Sequence, residues 1–276
     1  MSKKIPRYII LEKPVGATPL EVAENWRTTQ DETYQNLPLA YAGRLDPMAS
    51  GKLLILIGEE CKRQQEYHHL DKAYEFSVLF GVSSDTQDVL GRLNFSPQSP
   101  LIDRKELKKV ATSLVKEVSL PYPHFSAKTV HGKPLHMWTL EKRLDEIEIP
   151  VQTSTVYRLK LVSMLTKSRQ QIYEEALTKV NSIPEVTDPR KRLGNDFRRQ
   201  DVRSDWQKFS VYGQPTDIFT IAHFYCLASS GTYMRSLAQE IGKLIGTKSL
   251  AYHIHRTNIG KYQSLTKNLG FWWKRY

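Results

Sequence analysis

Residues 43–63 read GRLDPMASGKLLILIGEECKR and join a polar turn to an uninterrupted apolar run at 53–57. Pro47 fixes its own φ angle and disfavours helical geometry for Asp46, so this carboxylate is presented from a stiff backbone. The apolar run is typical of a buried strand. Asp-Pro is also a common turn. Taken alone, these residues therefore leave a catalytic carboxylate and a purely structural turn both open.

Strand and helix patterns alternate irregularly on both sides of this turn. An apolar run at 8–11 precedes a capping-box pattern in which Thr18 is the N-cap, Pro19 the first helical residue and Glu21 the partner. Half-buried strand character is predicted at 73–80, followed by a polar loop at 81–91. Further strand patterns lie at 155–165 and 219–227, and helix patterns at 170–180 and 233–245. Without a regular strand-helix-strand period or an internal repeat, the α+β class is favoured over a doubly wound sheet.

Length, charge and cysteine content restrict the class of protein further. The chain has 276 residues, is 40% hydrophobic, and carries a net charge of +11. We expect one domain over residues 1–276 and a polyanionic partner, with nucleic acid first. The apolar run at 8–11 is too short for a signal peptide or membrane span, so we expect a cytoplasmic protein with no membrane contact. Cys61 and Cys226 have no metal-site spacing and are predicted to be free thiols.

Residues 167–214 stand apart because they are rich in arginine and poor in aliphatic side chains. After the helix predicted at 170–180, this segment looks like a basic insertion or a mobile arm. We predict that its arginines contact RNA phosphates, in particular Arg190, Arg192, Arg198 and Arg199.

Six motifs, in chain order, give this sequence a family resemblance. The run at 43–63 resembles the central motif of pseudouridine synthases of the TruB type. The other five also resemble motifs of that family: LEKPVGATP at 11–19, DKAYEFSVLFGVSSDTQDVLG at 71–91, PYPHFSAKTVHGKPLH at 121–136, ASSGTYMRSLAQEIG at 228–242 and HIHRTNIGKY at 253–262. Together they cover most of the chain outside the arginine-rich segment.

This resemblance implies both a fold and an activity. The expected fold is a mixed, mainly antiparallel sheet flanked by helices, with the active-site cleft across the sheet. The expected reaction isomerises the T-loop uridine of tRNA at position 55 to pseudouridine, by a monomer without cofactor or metal. Two alternatives stay open: the same chemistry at another RNA site, and a non-catalytic RNA-binding or RNA-folding protein.

The resemblance also assigns roles to residues. Asp46 is the essential carboxylate, which attacks the ribose or assists glycal formation. It has to be ionised and shielded from water, and burial alone favours the neutral form. Arg235 is therefore expected to pair with it through both oxygens. Tyr74 is expected to stack on the uracil and to take the proton from carbon 5, and Tyr233 to lie beside Arg235.

Three further residues are predicted to contact RNA, and two of them depart from the family pattern. Tyr41 stands where the family has a histidine that supports base flipping, and a tyrosine ring stacks on RNA bases as well. Arg44 replaces a small residue beside Asp46. Lys72 belongs to the Lys-x-Tyr strand motif. The chain ends shortly after Tyr262, so we expect no C-terminal RNA-binding (PUA) domain.

Overall fold

The computed structural model describes residues 5–96, 100–185, 198–266 and 269–276. The α-helices are α1 (Pro19–Thr28), α2 (Glu32–Gln35), α3 (Gln64–His68), α4 (Arg104–Ser113), α5 (Leu135–Leu140), α6 (Arg169–Ser182), α7 (Arg199–Val211) and α8 (Met234–Ile245). The strands are β1 (Tyr8–Lys13), β2 (Leu39–Ala42), β3 (Ala49–Ile57), β4 (Asp71–Phe80), β5 (Val82–Ser84), β6 (Leu93–Phe95), β7 (Glu117–Pro121), β8 (Thr129–Val130), β9 (Lys133–Pro134), β10 (Val151–Ser168), β11 (Ile218–Ala228), β12 (Ser249–Thr266) and β13 (Leu269–Arg275).

Nine of these strands form one sheet. Its main path runs β1-β3-β12-β4-β11-β10-β7, with β2 beside β3 and β13 beside β12. Only the contact between β12 and β3 is parallel; the other pairs of this sheet are antiparallel. The α+β class and the mainly antiparallel sheet flanked by helices are therefore confirmed.

The main core lies between the sheet and helices α4, α6, α7 and α8. The apolar face of α8 contributes Leu237, Ala238 and Ile241, all fully buried, and the facing strand β4 contributes Phe76 and Val78. Two smaller clusters lie on opposite faces of β3, one around Leu54 and Leu56 and the other around Leu53 and Ile55. This arrangement fixes β4, β12 and the start of α8 against one another.

Local sequence signals set several element boundaries. Thr18 caps α1, and its hydroxyl accepts from the Glu21 backbone N–H while the Glu21 carboxylate accepts from the Thr18 N–H. The predicted capping box is thus present. The strands expected at 8–11, 53–57, 155–165 and 219–227 all lie within observed strands.

Strand β4 differs from its prediction as a half-buried strand. Between β12 and β11 it is buried on both faces, and among its residues only Glu75 is exposed. Its second face carries small and polar groups; the Ser77 hydroxyl pairs with His223 Nδ1 at 2.7 Å. The stretch predicted as a polar loop at 81–91 contains β5, and most of it is buried. Its polar side chains bond to each other, which removes the cost of that burial.

The expectation of a mobile arm at 167–214 is wrong for its second half. Helix α7 places Val202, Trp206 and Phe209 in the main core, and Trp206 Nε1 donates to the Val89 carbonyl at 3.0 Å. Sequence reasoning missed this because the three core residues at 202, 206 and 209 are spaced among the nine polar residues of α7. Residues 186–197, which include Arg190 and Arg192, lie outside the described residues.

Among the described helices, none combines the length and the hydropathy that crossing a membrane requires. Cys61 and Cys226 are both free thiols, as expected.

Candidate active site

Asp46 lies in the turn between β2 and β3, and two backbone hydrogen bonds shape that turn. The Ala49 N–H donates to the Asp46 carbonyl at 3.0 Å, and the Gly16 N–H donates to the Pro47 carbonyl at 2.9 Å. The first bond closes the turn and the second ties it to the N-terminal segment. The carboxylate is thereby presented from a backbone that is held on both sides.

Arg235, in the first turn of α8, meets this carboxylate with two hydrogen bonds. Its Nε donates to Asp46 Oδ2 at 2.7 Å and its Nη2 to Oδ1 at 3.1 Å. Further bonds run from Nη1 to the Thr86 carbonyl at 2.9 Å and from Nη2 to the Phe125 carbonyl at 3.4 Å. The Arg235 side chain is 4% exposed, and its direction is fixed by four hydrogen bonds to three residues from separate segments. This pairing across 189 residues confirms the predicted contact.

A second carboxylate, Asp88, lies on the other side of Arg235. Its Oδ2 is 3.9 Å from Arg235 Nε, while its Oδ1 accepts from the Thr86 hydroxyl and the Leu90 N–H. Burial raises the pKa of Asp88 to about 6, against the opposing effect of Arg235. Asp88 is 3% exposed. It is thus a buried carboxylate beside the guanidinium, whereas Asp46 is partly exposed and lines a cavity.

Arg256, from β12, holds the backbone in front of Asp46. Its Nε donates to the Lys52 carbonyl at 2.7 Å, and its Nη2 and Nη1 reach the carbonyls of Gly43 and Arg44 at 3.0 and 3.4 Å. Burial lowers the pKa of Arg256, and the neighbouring Tyr74 opposes this shift. Gly43 has φ +79°, and a Cβ there would lie 3.3 Å from Lys72 Cε. A glycine is needed at this point for conformation and for space.

Lys13 is a third buried cation beside the turn. It is fully buried at the end of β1 and donates to the Ala49 carbonyl at 2.7 Å and the Pro14 carbonyl at 2.9 Å. Burial lowers its pKa to about 8, and the charge of Asp46 opposes that shift. Lys13 thus fixes the start of β3 from behind.

A cavity of about 830 Å³, here called the cleft, opens in front of Asp46. It brings together seven of the predicted site residues: Tyr41, Arg44, Asp46, Lys72, Tyr74, Tyr233 and Arg235. Its walls come from the 43–47 turn, β4, β12, the 125–127 segment and the start of α8. The cleft lies on the helix-covered side of the sheet, where the Tyr74 face of β4 points.

Two tyrosines lie close enough to Asp46 to sense its charge. Burial raises the pKa of Tyr74, which is 8% exposed, and Arg256 opposes this shift. Burial also raises the pKa of Tyr233, the N-cap residue of α8, and Asp46 adds to that shift. Both phenols are therefore protonated at neutral pH. The arrangement combines one carboxylate, two aromatic hydroxyls and several cations in a space that accommodates a planar base and a sugar.

The sequence matches the family described as "TruB family pseudouridylate synthase (N terminal domain)" over residues 33–180, more than half of the chain. The chain belongs to this family. Its reaction is an isomerisation in which uridine in RNA becomes pseudouridine.

Curated relatives and solved structures agree with this membership. The chain is 26% identical over 254 residues to "tRNA pseudouridine synthase B" of Caldicellulosiruptor saccharolyticus, covering 92% of this chain and 67% of that protein. It is 27% identical over 231 residues to "tRNA pseudouridine synthase 4" of Saccharomyces cerevisiae, covering 74% of this chain and 56% of that protein. A chain of the "Crystal Structure of a Cbf5-Nop10-Gar1 Complex" shares the fold, with TM-score 0.52 and 16% identity over 92% of this chain and 48% of that one. The chain thus spans only part of the length of these proteins.

This TruB-family site departs from one expectation about Asp46. The carboxylate was expected to be shielded from water, but its side chain is 37% exposed. The shielding groups Arg235 and Asp88 lie behind it, and the cleft in front of it is open. An occupant of the cleft is needed to complete the exclusion of water.

Tyr41 and Lys72 line opposite parts of the cleft. Arg44 lies over the Tyr41 ring, with its guanidinium carbon 6.0 Å from the ring centre. Lys72 Nζ donates to the Leu70 carbonyl at 2.5 Å and to the Ser230 hydroxyl at 3.4 Å. Burial, together with the charge of Arg256, lowers the pKa of Lys72 to about 8.

Arg198 and Arg199 are described by the structure but do not line the cleft. Arg198 forms an ion pair with Asp85 at 2.5 Å and stacks over the Phe125 ring at 4.4 Å. Arg199 Nη2 donates to the Pro184 carbonyl at 2.8 Å. Because Phe125 itself lines the cleft, Arg198 packs behind one of its walls.

Sequence reasoning missed Asp88, Arg256 and Lys13 as parts of the site. All three lie inside motifs that carried the family resemblance, yet they had been given no role. No local signal marked them, since 81–91 was predicted to be a polar loop; in the structure each is a charged side chain that is fully or almost fully buried. Such a residue requires a partner, and here the partners are Arg235 and the backbone of the catalytic turn.

Proposed function

We propose that this protein is a tRNA pseudouridine synthase that isomerises the T-loop uridine at position 55. One observation carries the proposal: the Asp46 carboxylate is held by two hydrogen bonds from a buried guanidinium, and it faces an open cleft beside Tyr74. The names of the curated relatives support tRNA as the substrate. The chain's net charge of +11 suits an RNA partner.

The first step of the reaction is extrusion of the target uridine. A stacked nucleotide does not reach a carboxylate at the base of a cleft, so the uridine leaves its stack at a cost of a few kcal/mol. Tyr41 lies at the edge of the cleft and takes the place of the displaced base against its neighbours. Arg44 and Lys72 contact the phosphates on either side. The uracil then closes the open side of Asp46 and completes its shielding.

Asp46 next acts at the ribose. The bond from N1 to C1′ breaks and its electron pair leaves with the uracil, while the carboxylate either bonds to C1′ or takes the neighbouring C2′ proton to form a glycal. The uracil turns and C5 bonds to C1′, as the Asp46–C1′ bond breaks or as the proton returns to C2′. The proton lost from C5 is balanced by one gained at N1. Arg235 keeps the carboxylate anionic and oriented throughout, because both of its oxygens are held.

Tyr74 positions the uracil and relays a proton. Its ring lies on the cleft wall, and its hydroxyl is protonated because burial raises its pKa. A protonated phenol accepts the C5 proton only if it passes its own proton on. We therefore assign Tyr74 a relay between C5 and a second acceptor, rather than the role of a preformed base.

Residues 1–276 act in this proposal as one catalytic domain, monomeric and cytoplasmic. The segment 167–214 contributes phosphate contacts through Arg190 and Arg192. Arg198 is committed to Asp85, so its replacement would disturb the 84–91 segment instead. Replacing Arg190 and Arg192 by Ser should weaken tRNA binding. It should also make the dependence of log Kd on log salt concentration less steep, by the amount expected for roughly two lost phosphate contacts. Light scattering and cell fractionation measure the oligomeric state and the location.

One assay separates the proposed function from its alternatives. The protein and its Asp46→Ala variant are incubated with unmodified T-arm RNA and with total unmodified RNA, and pseudouridine is then mapped. Product at position 55 with the wild type alone supports the proposal. Product elsewhere identifies a synthase for another site. Tight binding without product in either protein identifies an RNA-binding protein that lacks catalysis.

A further inference from the structure

A second cavity of about 500 Å³ lies beside the cleft, and no step of the reaction uses it. Its walls combine aromatic rings with polar and cationic groups. They are formed by His69, Asp71, Tyr157, Ser229, Ser230, Lys261, Tyr262, Gln263 and Trp273. We call this space the side cavity.

One layer of chain separates the side cavity from the cleft. Ser230 lines both, and its hydroxyl donates to the His68 carbonyl at 2.5 Å. His68 and Lys72 line the cleft, while their chain neighbours His69 and Asp71 line the side cavity. Successive residues of a strand point to opposite faces, so β4 presents Lys72 to one cavity and Asp71 to the other. The two cavities are therefore neighbours at this end of β4, with Ser230 on the wall of each.

The aromatic wall of the side cavity is exposed. Trp273, on β13, is 68% exposed, and Lys261 Nζ lies 5.7 Å from its ring centre. Tyr262 packs against Tyr157 with ring centres 5.3 Å apart. Single exposed aromatic side chains are common on protein surfaces, but this ring lies on the wall of a cavity and beside an ammonium group. A flat ring beside an ammonium group suits a nucleobase next to its phosphate.

The carboxylate of the side cavity is already occupied within the protein. Asp71 Oδ2 accepts from the Tyr262 N–H at 2.7 Å, and Oδ1 accepts from the Tyr157 hydroxyl at 3.2 Å. These bonds fix the two tyrosine positions. Because both carboxylate oxygens face protein donors, Asp71 organises the aromatic wall, and Lys261 supplies the charge that a phosphate would meet.

We propose that the side cavity binds a second nucleotide of the substrate RNA, one that flanks the extruded uridine. Its base stacks on Trp273 and Tyr262, and its phosphate contacts Lys261. The proposal rests on the proposed function, because it takes its ligand from the RNA in the cleft. It assigns the β12–β13 pair a role in substrate binding that is separate from the chemistry at Asp46.

The test measures RNA affinity in an Asp46→Ala background, so that binding is scored without turnover. Trp273→Ala should raise the Kd for an unmodified T-arm hairpin about tenfold, and Trp273→Phe should restore most of the affinity. Lys261→Ala should raise the Kd. It should also make the dependence of log Kd on log salt concentration less steep, by the amount expected for roughly one lost phosphate contact. Phe271→Ala is the matched aromatic control, since it is 50% exposed on the same strand and does not line the cavity. Lys108→Ala on α4 controls for loss of charge.

An abasic scan of the RNA locates the nucleotide. Removing the base that occupies the side cavity should weaken RNA binding by the Asp46→Ala protein, which is the parent of the other variants. The same removal should not change RNA binding by the variant that also carries Trp273→Ala. In the chain with Asp46 intact, Trp273→Ala should raise KM and leave kcat within about twofold.

The outcomes keep the two proposals apart. Equal Kd values for Trp273→Ala and Phe271→Ala, with both folded, overturn the side-cavity proposal even when the wild type makes pseudouridine. Binding that depends on Trp273, in a protein that makes no pseudouridine, supports the side cavity and defeats the catalytic proposal. No RNA binding by the parent protein defeats both.

Discussion

Two arginine–aspartate pairs in this protein are alike in burial and pairing but not in surroundings. Arg235 is 4% exposed and its partner Asp46 is 37% exposed; Arg169 is fully buried and its partner Asp217 is also 37% exposed. In both pairs the guanidinium donates two hydrogen bonds to the carboxylate. Exposure and ion pairing alone would not tell which carboxylate is reactive.

The difference lies in what else each pair touches. Asp217 Oδ2 accepts both Arg169 bonds and also the Gln214 N–H at 3.0 Å. The Arg169 guanidinium lies beside the rings of both Phe209 and Phe219, 4.8 and 4.9 Å from their centres. This pair connects the start of α6 to the loop before β11.

The Asp46–Arg235 pair instead faces the open cleft. Each Asp46 oxygen accepts one guanidinium bond, and the carboxylate lines the cleft with Tyr74. Buried ion pairs contribute little net stability because desolvation opposes attraction. A buried arginine at the edge of a cavity is thus better explained by the orientation of a reactive group than by folding. The adjacent cavity, and not the ion pair, therefore identifies the reactive carboxylate.

The largest expected effect comes from neutralising Asp46, and the same substitution at Asp217 is the matched comparison. Asp46→Asn should slow pseudouridine formation by at least about 10⁴-fold, because the amide keeps the shape but loses the anion. Asp217→Asn should change the rate by less than about threefold. Single-turnover mapping of pseudouridine in the T-arm measures both. Similar losses in the two variants would remove the distinction between the pairs.

Replacing the arginines by lysine should separate catalysis from stability. Arg235→Lys should lower kcat on the order of a hundredfold to a thousandfold, since one ammonium does not hold both Asp46 oxygens. Arg169→Lys should lower the free energy of unfolding by about 1–3 kcal/mol and leave the activity of the folded protein near that of the wild type. Denaturant titration and kcat on the same samples check this. An Arg235→Lys enzyme of normal kcat would contradict the assigned orientation role.

A smaller effect is expected from the hydroxyl of Tyr74. Tyr74→Phe keeps the stacking ring but removes the proton relay, so kcat should fall about a hundredfold while RNA affinity changes little. Tyr225→Phe is the matched control, because Tyr225 is the register partner of Glu75 and lies on β11 outside the cleft. If Tyr74→Phe retains full kcat, Tyr74 contributes only its ring.

The smallest effect should appear in the pH dependence of binding. The pKa of Lys72 is lowered to about 8 from the ordinary 10.5, mainly by burial, so this cation is lost as pH rises through 8. Wild-type KM should therefore rise several-fold between pH 7 and 9, and Lys72→Arg should flatten that rise because arginine keeps its charge.

A stability measurement controls for unfolding in that experiment. Between pH 8 and 10.5 the unfolded chain binds more protons at Lys72 than the folded one, so this group makes the protein more stable as pH rises. A KM that rises equally in Lys72→Arg would show that another group is responsible.

The sequence predicts one of the two arginine–aspartate pairs but not the other. The Asp46–Arg235 contact follows from motif resemblance, since both residues stand at recognisable motif positions, and the structure confirms it. The Arg169–Asp217 pair carries no motif and was not predicted. Its existence depends on α6 and α7 packing against β11, which is long-range packing that local patterns do not specify.

The arginine-rich segment shows the same limit. Its composition indicated an arm, yet Trp206 and Phe209 join the main core because β11 and the 84–93 segment offer them a surface. A few large apolar side chains determine whether a mostly polar helix packs on the core. The average composition of a segment does not show them. Conversely, β4 was predicted half-buried, because the sequence does not reveal that both of its faces are covered.

The most direct test is a crystal structure of the Asp46→Asn variant bound to an unmodified T-arm RNA. The account predicts an extruded uridine in the cleft, with its uracil on Tyr74 and its ribose C1′ within about 3.5 Å of the residue 46 side chain, which still contacts Arg235. A uridine that stays stacked in the RNA, or one that is seated away from residue 46, would contradict the account.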